Sequence, residues 1–379
     1  MEKIIGIVSE YNPFHIGHNY HIAKAREMAG EESTVVCVMS GDYVQRGEWA
    51  IQPKHLRAQD AVRGGADLVF ELPLPWCLSS ARVFAEGAVN LLSSIGITDL
   101  SFGSECGKAE DLYAAAEILS DPASDKAVSA YMREHPQLSY PAAREAVFPE
   151  EIPVLPNDLL AVEYLRAIRF SPHPEIKPLV VKRSGYGHDM HAGEGFQSAS
   201  AIREEIYAGR LFQPHIFAEK METAILSRLR MFDKEYFCSL PDCSDGLGSR
   251  LYEAVRNANT LAEIYDCAKT KCYTHSRVRR GIMCAALSVK AGDNSGIPPY
   301  ARILAMNEKG ARFAAALREK DALNVITQPK EVRSMGENAE KVFALGASAH
   351  DLYMLCFEGE KPSKCGDDYR IHPVIVHDA

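Results

Sequence analysis

Two histidines near the amino end of the chain have the residue type and spacing of a phosphate-binding pair. They stand three residues apart in His15-Ile16-Gly17-His18, shortly after an apolar run at 4–8. Residues three apart share one face of a helical turn, so a helix that begins here would present both imidazoles together. The amino end of a helix favours an anion, because its first N–H groups lack partners and its dipole is positive there. The segment therefore predicts that both imidazoles donate hydrogen bonds to nucleotide phosphates, and Gly17 allows close approach to the backbone.

A second segment, at 198–203, has the composition of another helix start with anion-binding groups. Its sequence is SASAIR, so it offers the hydroxyls of Ser198 and Ser200 and the guanidinium of Arg203. An arginine can clamp phosphate oxygens with two parallel donors. Together with the histidine pair, these groups fit attack on the α-phosphorus of ATP with departure of pyrophosphate, a reaction that depends on positioning and charge stabilisation. A divalent cation, Mg²⁺, is expected to bridge the phosphates.

Each segment alone also has an ordinary structural interpretation. Two histidines at a helix start can serve as a cap, and a serine pair before an Ile-Arg helix is a common N-cap. The conjunction of the two favours the functional interpretation. The first segment follows the first predicted strand of a βαβ run, and the second opens a helix at the end of that run.

The spacing of apolar residues predicts the elements that position these groups. Buried strands are predicted at 4–8, 34–39, 66–70, 100–102 and 178–181, and helices at 18–28, 53–63, 80–92, 109–119 and 159–168. This alternation is typical of a parallel sheet covered on both faces, with ligands at the carboxyl ends of its strands.

Beyond about residue 207 the pattern becomes helical. Amphipathic helices are predicted at 215–232, 247–270, 275–290 and 309–319. We therefore predict an α/β chain with two domains. Residues 1–207 form a Rossmann-like, ATP-binding catalytic domain with a parallel sheet, and residues 208–379 form a mostly α-helical carboxyl-terminal domain.

Composition excludes some classes of protein. The 379 residues suffice for two domains, and the formal net charge of −9 argues against wholesale coating by nucleic acid, although a local basic patch remains compatible with it. No apolar run approaches the roughly 20 residues that cross a bilayer. The short apolar run at the amino end does not have the length of a secretory signal, so we expect a cytoplasmic protein without a membrane partner.

The ten cysteines include two pairs with four intervening residues. These pairs are Cys238 with Cys243 and Cys267 with Cys272. A four-thiolate zinc site usually has the tighter spacing of two intervening residues, so we interpret these side chains as reduced thiols and assign no protein metal site.

Six longer stretches accompany the two chemical segments in the first half of the chain, and looser matches continue over nearly its whole length. They are GIVSEYNPFH at 6–15, MSGDYVQRGE at 39–48, GADLVFELP at 65–73, FGSE at 102–105, PND at 156–158 and KRSGYGH at 182–188. With the His-x-Gly-His and Ser-x-Ser-x-Ile-Arg pair, they resemble the bacterial tRNA(Met) cytidine acetate ligase family of the nucleotidylyltransferase superfamily. Asp42 and Asp158 stand where relatives are expected to carry asparagine.

The resemblance implies an ATP-dependent ligase that works in two steps. ATP and acetate would give acetyl-adenylate and pyrophosphate, and the acetyl group would pass to the wobble cytidine in the anticodon of elongator tRNA(Met), giving N4-acetylcytidine. The residues agree with the first step. Acetate is already ionised at neutral pH and needs no strong base, but its charge must be compensated as it approaches phosphate. His15, His18 and Arg203 supply that compensation, with Arg183 as a further cation.

The resemblance also implies the roles of individual residues. Catalytic roles fall to His15, His18, Ser200 and Arg203. ATP contacts fall to Ile7, Val8, Ser9, Glu10, Tyr11, Asn12, Pro13, Phe14, His15, Ile16, Gly17, His18, Asn19, Tyr20, Gly103, Asn157, Arg183 and Ser198. A turn for Gly103 and a helix cap for Asn157 are the structural alternatives at those two positions.

A basic segment at 268–280 is the candidate surface for tRNA. Its cations are Lys269, Lys271, Arg277, Arg279 and Arg280, interleaved with Tyr273 and His275. Cations can hold phosphates and aromatic rings can stack on a splayed base, while a solvated helix face is the structural alternative. Two other functions remain open: an adenylyltransferase that acts on a small phosphorylated metabolite, and a non-catalytic, nucleotide-sensing RNA-binding module.

Overall fold

The computed structural model describes residues 3–147, 158–182, 198–319, 324–357 and 364–377 of the chain. Its strands are Ile4–Ser9 (β1), Thr34–Ser40 (β2), Tyr43–Val44 (β3), Glu48–Trp49 (β4), Leu68–Leu72 (β5), Asp99–Ser104 (β6), Lys177–Lys182 (β7), Ala301–Met306 (β8), Val325–Ile326 (β9) and Val374–Ile375 (β10).

The helices of the first half are Ile16–Ala29 (α1), Lys54–Arg63 (α2), Leu74–Cys77 (α3), Ala81–Ser94 (α4), Ala109–Ser120 (α5), Pro122–Glu134 (α6), Tyr140–Val147 (α7), Leu159–Phe170 (α8) and Ala199–Tyr207 (α9). Those of the second half are Ala218–Leu229 (α10), Lys234–Cys238 (α11), Leu247–Asn257 (α12), Leu261–Ala268 (α13), His275–Leu287 (α14), Glu308–Glu319 (α15) and Glu337–Leu355 (α16).

The main sheet has the strand order β10-β8-β5-β2-β1-β6-β7, with β9 paired to β8. The five strands from β5 to β7 are parallel, as predicted, so the mixed α/β class is confirmed. The chain order reverses beside β1, with β2 on one side and β6 on the other. In open α/β sheets ligands bind at the carboxyl ends of strands beside such a reversal, and the loop that leads from β1 to His15 and His18 leaves the sheet at this point.

Alternating side chains give the sheet two apolar faces. Val35, Cys37 and Met39 of β2 belong to the core under α1 and α2, whereas Val36 and Val38 belong to the core under α4 and α8. All five are fully buried, and burial of side chains of this size stabilises the fold by roughly 1.5–3 kcal/mol each. The central strands therefore form a rigid base for the loops at their carboxyl ends.

Helices of the second half surround a separate apolar core. On α10 the buried residues Met221, Ile225 and Leu229 recur at the four-residue spacing of one helix face, and they pack with residues such as Leu251 and Ile282. The boundary at 207 stays a prediction. The structure adds that β8, β9 and β10, all after residue 300, join the sheet of the first half. No helix within the described ranges is long and apolar enough to cross a membrane.

Candidate functional site

His15 and His18 form the amino-terminal cap of α1. His15 is the N-cap residue, and its Nδ1 atom accepts a hydrogen bond of 3.0 Å from the Gly17 N–H. The Nδ1 atom of His18 accepts in turn from the His15 N–H at 3.2 Å. The two bonds make a reciprocal capping box, in which histidines occupy the usual positions of Ser or Thr and Glu or Gln. The cap interpretation and the phosphate interpretation of these residues are therefore compatible.

This capping box fixes the tautomer of both rings. A neutral imidazole has one donor nitrogen and one acceptor nitrogen, and an Nδ1 atom that accepts from an N–H cannot carry the proton. Both neutral rings therefore carry their hydrogen on Nε2. Burial lowers the pKa of His15, which favours this neutral form at pH 7. The first turn of α1 thus presents two oriented Nε2–H donors.

Aromatic packing holds the histidine pair in place. The rings of His15 and His18 stack with centroids 3.8 Å apart and an interplanar angle of 25°. Tyr11 meets His18 edge-on at 4.8 Å, and Phe14 lies against the same ring at 5.4 Å. The Tyr11 side chain is itself buried, with its hydroxyl 3.3 Å from the Cys37 sulfur. The positions of the imidazoles therefore follow from the core beneath the loop.

Arg203 joins the second predicted segment to the first. Its Nη1 atom donates to the Asn12 carbonyl oxygen at 2.7 Å, and its Nη2 atom donates to the Ser200 hydroxyl oxygen at 3.2 Å. Ser198 is the N-cap of α9, where its hydroxyl oxygen accepts from the Ala201 N–H at 3.2 Å. The amino ends of α1 and α9, which are about 180 residues apart in sequence, thus border one site.

Arg57 is a structural element of this site that sequence reasoning missed. Its guanidinium is fully buried and donates to the Gln52 carbonyl at 2.9 Å and to the Ser40 carbonyl at 3.2 Å. It also donates to the carbonyls of Glu10 and Gly41. These carbonyls follow β1 and β2, so one cation satisfies the backbone where both strands leave the sheet. No local pattern in the sequence distinguishes Arg57 from an exposed helical arginine.

Asp42 is a buried structural residue in this arrangement. One carboxylate oxygen lies 2.7 Å from His350 Nδ1 on α16, and the other accepts from the Lys54 N–H at 2.9 Å, at the start of α2. Burial alone would raise the pKa of Asp42, but His350 and Lys54 outweigh it and hold that pKa below its usual range. Burial likewise lowers the pKa of His350, yet the Asp42 carboxylate raises it overall. The geometry favours a charged pair.

A buried group of charges continues from Lys54. Its Nζ atom lies 2.8 Å from a carboxylate oxygen of Glu71 and 2.8 Å from one of Asp368. The guanidinium of Arg302 donates to both Asp368 oxygens, at 2.7 and 2.8 Å, and contacts Glu71 at 3.2 Å. These side chains connect α2 and β5 to β8 and to the carboxyl-terminal tail. The tail is therefore part of the support for the site.

The remaining residues predicted to contact ATP differ in their location and in the exposure of their side chains. Ile7 is buried in the sheet, whereas Ile16, Asn19 and Tyr20 are exposed along α1. Gly103 lies on β6 and pairs with Val181 on β7. Gly17 lies in the first turn of α1, and the others lie in β1 or in the loop that follows it: Val8, Ser9, Glu10, Asn12, Pro13 and Phe14. Asn157 and Arg183 lie outside the described residues.

Asp158 stands next to one of those undescribed positions and is fully buried. One carboxylate oxygen accepts from the Ser104 hydroxyl at 2.8 Å and from the Glu105 N–H at 2.7 Å, and the other accepts from the Cys106 N–H at 3.1 Å. Burial would raise the pKa of Asp158, but these hydrogen bonds lower it overall. The carboxylate therefore organises the loop after β6, next to Gly103.

The candidate tRNA residues lie at and before the start of α14 and differ in accessibility. Lys271 is exposed. Arg277 donates to the Asp242 carbonyl at 2.9 Å, and Arg279 is paired with Glu48. Arg280 is buried, with its guanidinium 3.8 Å from Asp242. Because Arg280 is buried, its predicted contact with tRNA is not supported. The assignment of Lys271, Arg277 and Arg279 to tRNA binding stays a prediction.

The cysteines of the two sequence pairs are free thiols, and three of them have different surroundings. Cys243 is buried, and burial raises its pKa to about 12. The Cys238 sulfur lies 3.5 Å from the Ser249 hydroxyl, and the Cys272 thiol donates to the Pro136 carbonyl at 3.0 Å. Within the part of the chain that the structure describes, no group of three or more His, Cys, Asp or Glu side chains is arranged to hold a metal ion.

Comparison with known proteins places these observations in a family. A model of the HIGH nucleotidyl transferase family matches residues 2–368. Relatives named tRNA(Met) cytidine acetate ligase, from Acetivibrio thermocellus and Caldicellulosiruptor saccharolyticus, are 32% and 35% identical. Each alignment covers 99% of this chain, with 100% of the first relative and 99% of the second.

Solved structures give the same result. The crystal structure of Thermotoga maritima TmcAL bound with alpha-thio ATP is similar to this chain with a TM-score of 0.88 and 29% sequence identity. The apo form of that protein gives a TM-score of 0.89. Both comparisons cover 99% of this chain and all of the other.

Proposed function

The chain belongs to the tRNA(Met) cytidine acetate ligase family of HIGH nucleotidyl transferases, and from that premise we propose that it acetylates a tRNA cytidine through acetyl-adenylate. It is an ATP-dependent ligase. The substrates in this proposal are ATP, acetate and elongator tRNA(Met). The products are AMP, pyrophosphate and tRNA with N4-acetylcytidine at the wobble position.

In the first step, acetate attacks the α-phosphorus of ATP. A bond forms between a carboxylate oxygen and phosphorus, and the bond from phosphorus to the β-bridging oxygen breaks, so pyrophosphate leaves with the electron pair. The Nε2–H groups of His15 and His18 donate to phosphate oxygens on which charge accumulates. Arg203 and the amino end of α9 hold the leaving phosphates. ATP enters as its Mg²⁺ complex, whose cation screens the triphosphate charge.

In the second step, the exocyclic amine of cytidine attacks the carbonyl carbon of acetyl-adenylate. A C–N bond forms, the bond from the carbonyl carbon to the phosphate oxygen breaks, AMP leaves, and a proton passes to solvent. No strong base is required, because AMP is a good leaving group. The protein therefore contributes chiefly by holding the amine against the mixed anhydride.

The contact between Arg203 and Asn12 carries this proposal. Two helix amino ends, each favourable to an anion, border one site only because this hydrogen bond of 2.7 Å joins them. In this proposal one triphosphate contacts both ends. A nucleotide-sensing module would need only one helix amino end to bind ATP. The ligase would also use the amino end of α9, to stabilise the leaving pyrophosphate.

ATP–pyrophosphate exchange with and without acetate tests the first step. We expect exchange of labelled pyrophosphate into ATP that depends on acetate and Mg²⁺ and does not require tRNA. Exchange that depends on a phosphorylated metabolite instead would support a metabolite adenylyltransferase. ATP binding without any exchange would support a sensing module.

Mass spectrometry of tRNA nucleosides tests the second step. Bulk tRNA incubated with the protein, ATP, Mg²⁺ and acetate should gain N4-acetylcytidine, and omission of acetate is the matched control. If acetate-dependent exchange occurs but no acetylated cytidine appears, the acceptor in this proposal is wrong.

A further inference from the structure

Trp49 and Tyr207 form an aromatic pair beside the phosphate-binding groups that the reaction above leaves without a role. Trp49 ends β4 in the β3–β4 hairpin, and Tyr207 is the last residue of α9. The Trp49 Nε1–H donates to the Tyr207 hydroxyl oxygen at 3.2 Å. We propose that this pair forms the binding site for the cytosine base that accepts the acetyl group. This inference rests on the proposed function.

The first argument is position. Ser200, Arg203 and Tyr207 follow the three- and four-residue spacing of one face of α9. Arg203 bonds the Asn12 carbonyl, and the Asn12 side-chain oxygen accepts from the Ile51 N–H at 2.7 Å, two residues after Trp49. Asn12 thus ties both members of the aromatic pair to the loop that carries His15 and His18. Tyr207 therefore lies one helical turn from Arg203, whose hydrogen bond to Asn12 joins α9 to the loop that carries the histidine pair.

The second argument is the hydrogen-bonding capacity of Tyr207. An indole N–H is only a donor, so the bond from Trp49 occupies an acceptor site on the phenol oxygen and leaves the phenol hydrogen to be donated. The ordinary pKa of a tyrosine hydroxyl, about 10, keeps that hydrogen in place at neutral pH. Among the described residues, none accepts that hydrogen.

That donor matches what an acceptor cytosine offers. The ring presents two acceptors, O2 and N3, and one donor, the N4 amine. The amine must stay unpaired in order to attack the acetyl group, so recognition has to use the acceptors. A tyrosine hydroxyl that donates satisfies this condition, whereas a carboxylate or carbonyl would engage the nucleophile itself.

The third argument is accessible aromatic surface. The Tyr207 side chain is 43% exposed, and its ring is braced by the His215 ring, edge-on at 5.7 Å. Phe212, five residues further on, is 96% exposed. A base that stacks on such a surface typically contributes a factor of ten or more to binding of single-stranded RNA.

The pair is also continuous with the cationic segment proposed for tRNA. Glu48, the neighbour of Trp49, is paired with Arg279 on α14, and the Arg279 guanidinium lies over the Tyr265 ring at 5.4 Å. Exposed Lys271 precedes the same helix. An anticodon loop that contacts this segment could extend a single nucleotide to the aromatic pair.

The test uses the full-length protein with Tyr207→Ala and Tyr207→Phe. Tyr113→Ala and Tyr113→Phe are the matched controls, since Tyr113 has a similar exposure of 48% on α5, which packs against α8. The RNA probes are an anticodon stem-loop with cytidine at the wobble position and the same stem-loop with an abasic nucleotide there. The readouts are acetate-dependent exchange, transfer of labelled acetyl to the stem-loop, and dissociation constants for both probes.

We expect Tyr207→Ala to lower kcat/KM for acetyl transfer about 30-fold or more and Tyr207→Phe about 5- to 10-fold, with far smaller effects on exchange. The wild type should prefer the cytidine probe to the abasic probe about tenfold, and Tyr207→Ala should lose that preference. The Tyr113 variants should match the wild type in every readout.

Unchanged transfer, a parallel fall of exchange and transfer, or a retained preference for cytidine in Tyr207→Ala would each overturn this assignment. A dimer that dissociates in Tyr207→Ala during sedimentation would also overturn it, because the surface would then be an interface between two copies. If the wild type shows no acetate-dependent exchange, the proposed function fails, and the comparison of cytidine with abasic probes still decides the base site.

Discussion

The capping box at the start of α1 allows the structural and chemical roles of the two histidines to be separated by substitution. His15→Asn keeps a good N-cap, because the asparagine side-chain oxygen can accept from the Gly17 N–H as the imidazole does. His18→Gln keeps the acceptor for the His15 N–H, since glutamine is a usual residue at that position of the box. Both substitutions remove the imidazole Nε2–H donor, and when the amide oxygen takes over the capping bond, the amide NH2 group lies at a different position.

The expected magnitudes follow from these bonds. A hydrogen bond to a charged group contributes roughly 1.5–3 kcal/mol, which corresponds to a fall of about 10- to 150-fold in the rate of adenylation for each histidine. Loss of a helix cap costs about 1 kcal/mol. His15→Ala should therefore lose both the donor and the cap, while His15→Asn should lose the donor and stay within about 0.5 kcal/mol of the wild-type stability.

Acetate-dependent ATP–pyrophosphate exchange measures the first effect, and urea unfolding monitored by circular dichroism measures the second. The informative comparison is between His15→Asn and His15→Ala. Both should show the same loss of exchange, with different unfolding midpoints. Near-wild-type exchange in His15→Asn and His18→Gln would refute the assignment of the imidazoles to phosphate, because the cap alone would then account for these residues.

Three further predictions concern the supports of the site and its charged surface. Arg203→Lys keeps the positive charge but cannot reach both the Asn12 carbonyl and the Ser200 hydroxyl, so exchange should fall about tenfold, and equal exchange in the variant would contradict the bridging role. His350→Gln removes the partner of the buried Asp42 carboxylate and should lower the free energy of unfolding by about 3 kcal/mol at pH 6. Because the folded state raises the pKa of His350, the stabilisation is fully present below the ordinary pKa of the unfolded residue and is lost as pH rises through the raised value. Urea midpoints of wild type and variant should therefore converge at alkaline pH, and a constant difference would exclude a charged pair. Lys269→Glu with Lys271→Glu should weaken tRNA binding and reduce its salt dependence while exchange stays unchanged, and unaltered affinity in a filter-binding titration would place the tRNA elsewhere.

The parallel strands of the first half could be predicted because their signals are local, whereas β3, β4, α3, α6 and α7 were not predicted. Each predicted strand between 4 and 181 overlaps an observed one, since the buried strands are short apolar runs such as TVVCVMS in β2. The two candidate phosphate-binding segments could be recognised for the same reason, because each lies at a helix start with its own cap residue. Proximity of the two segments could not be read from either one, since it depends on the contact from Arg203 to Asn12.

Two errors in the second half had different causes. The predicted helix at 247–270 is two helices, α12 and α13, and the signal for the break was present: the Thr260 hydroxyl oxygen caps the Glu263 N–H at 3.1 Å. Strand β8 had no such signal. Its sequence is ARILAM, and the charged Arg302 suggests a strand with one exposed face. In the structure both faces are covered, and Arg302 is buried opposite Glu71. Its partner Asp368 lies 66 residues away, beyond the reach of local patterns.

The buried charges give Asp42 of the motif MSGDYVQRGE a structural role beside the candidate site. Asp42 fixes the start of α2 through Lys54 and fixes α16 through His350. Gly47, with φ of 75°, lets the hairpin turn lie against the backbone of Arg280, where a Cβ atom would come within 2.4 Å of the Arg280 nitrogen. These contacts set the position of β4 and hence of Trp49. The β3–β4 hairpin contacts the sheet, the helical core and the proposed cytosine site. A substitution that destabilises this hairpin should therefore lower acetyl transfer more than adenylation. In the proposed mechanism, adenylation depends on α1 and α9, and Arg203 of α9 bonds the loop that leads into α1.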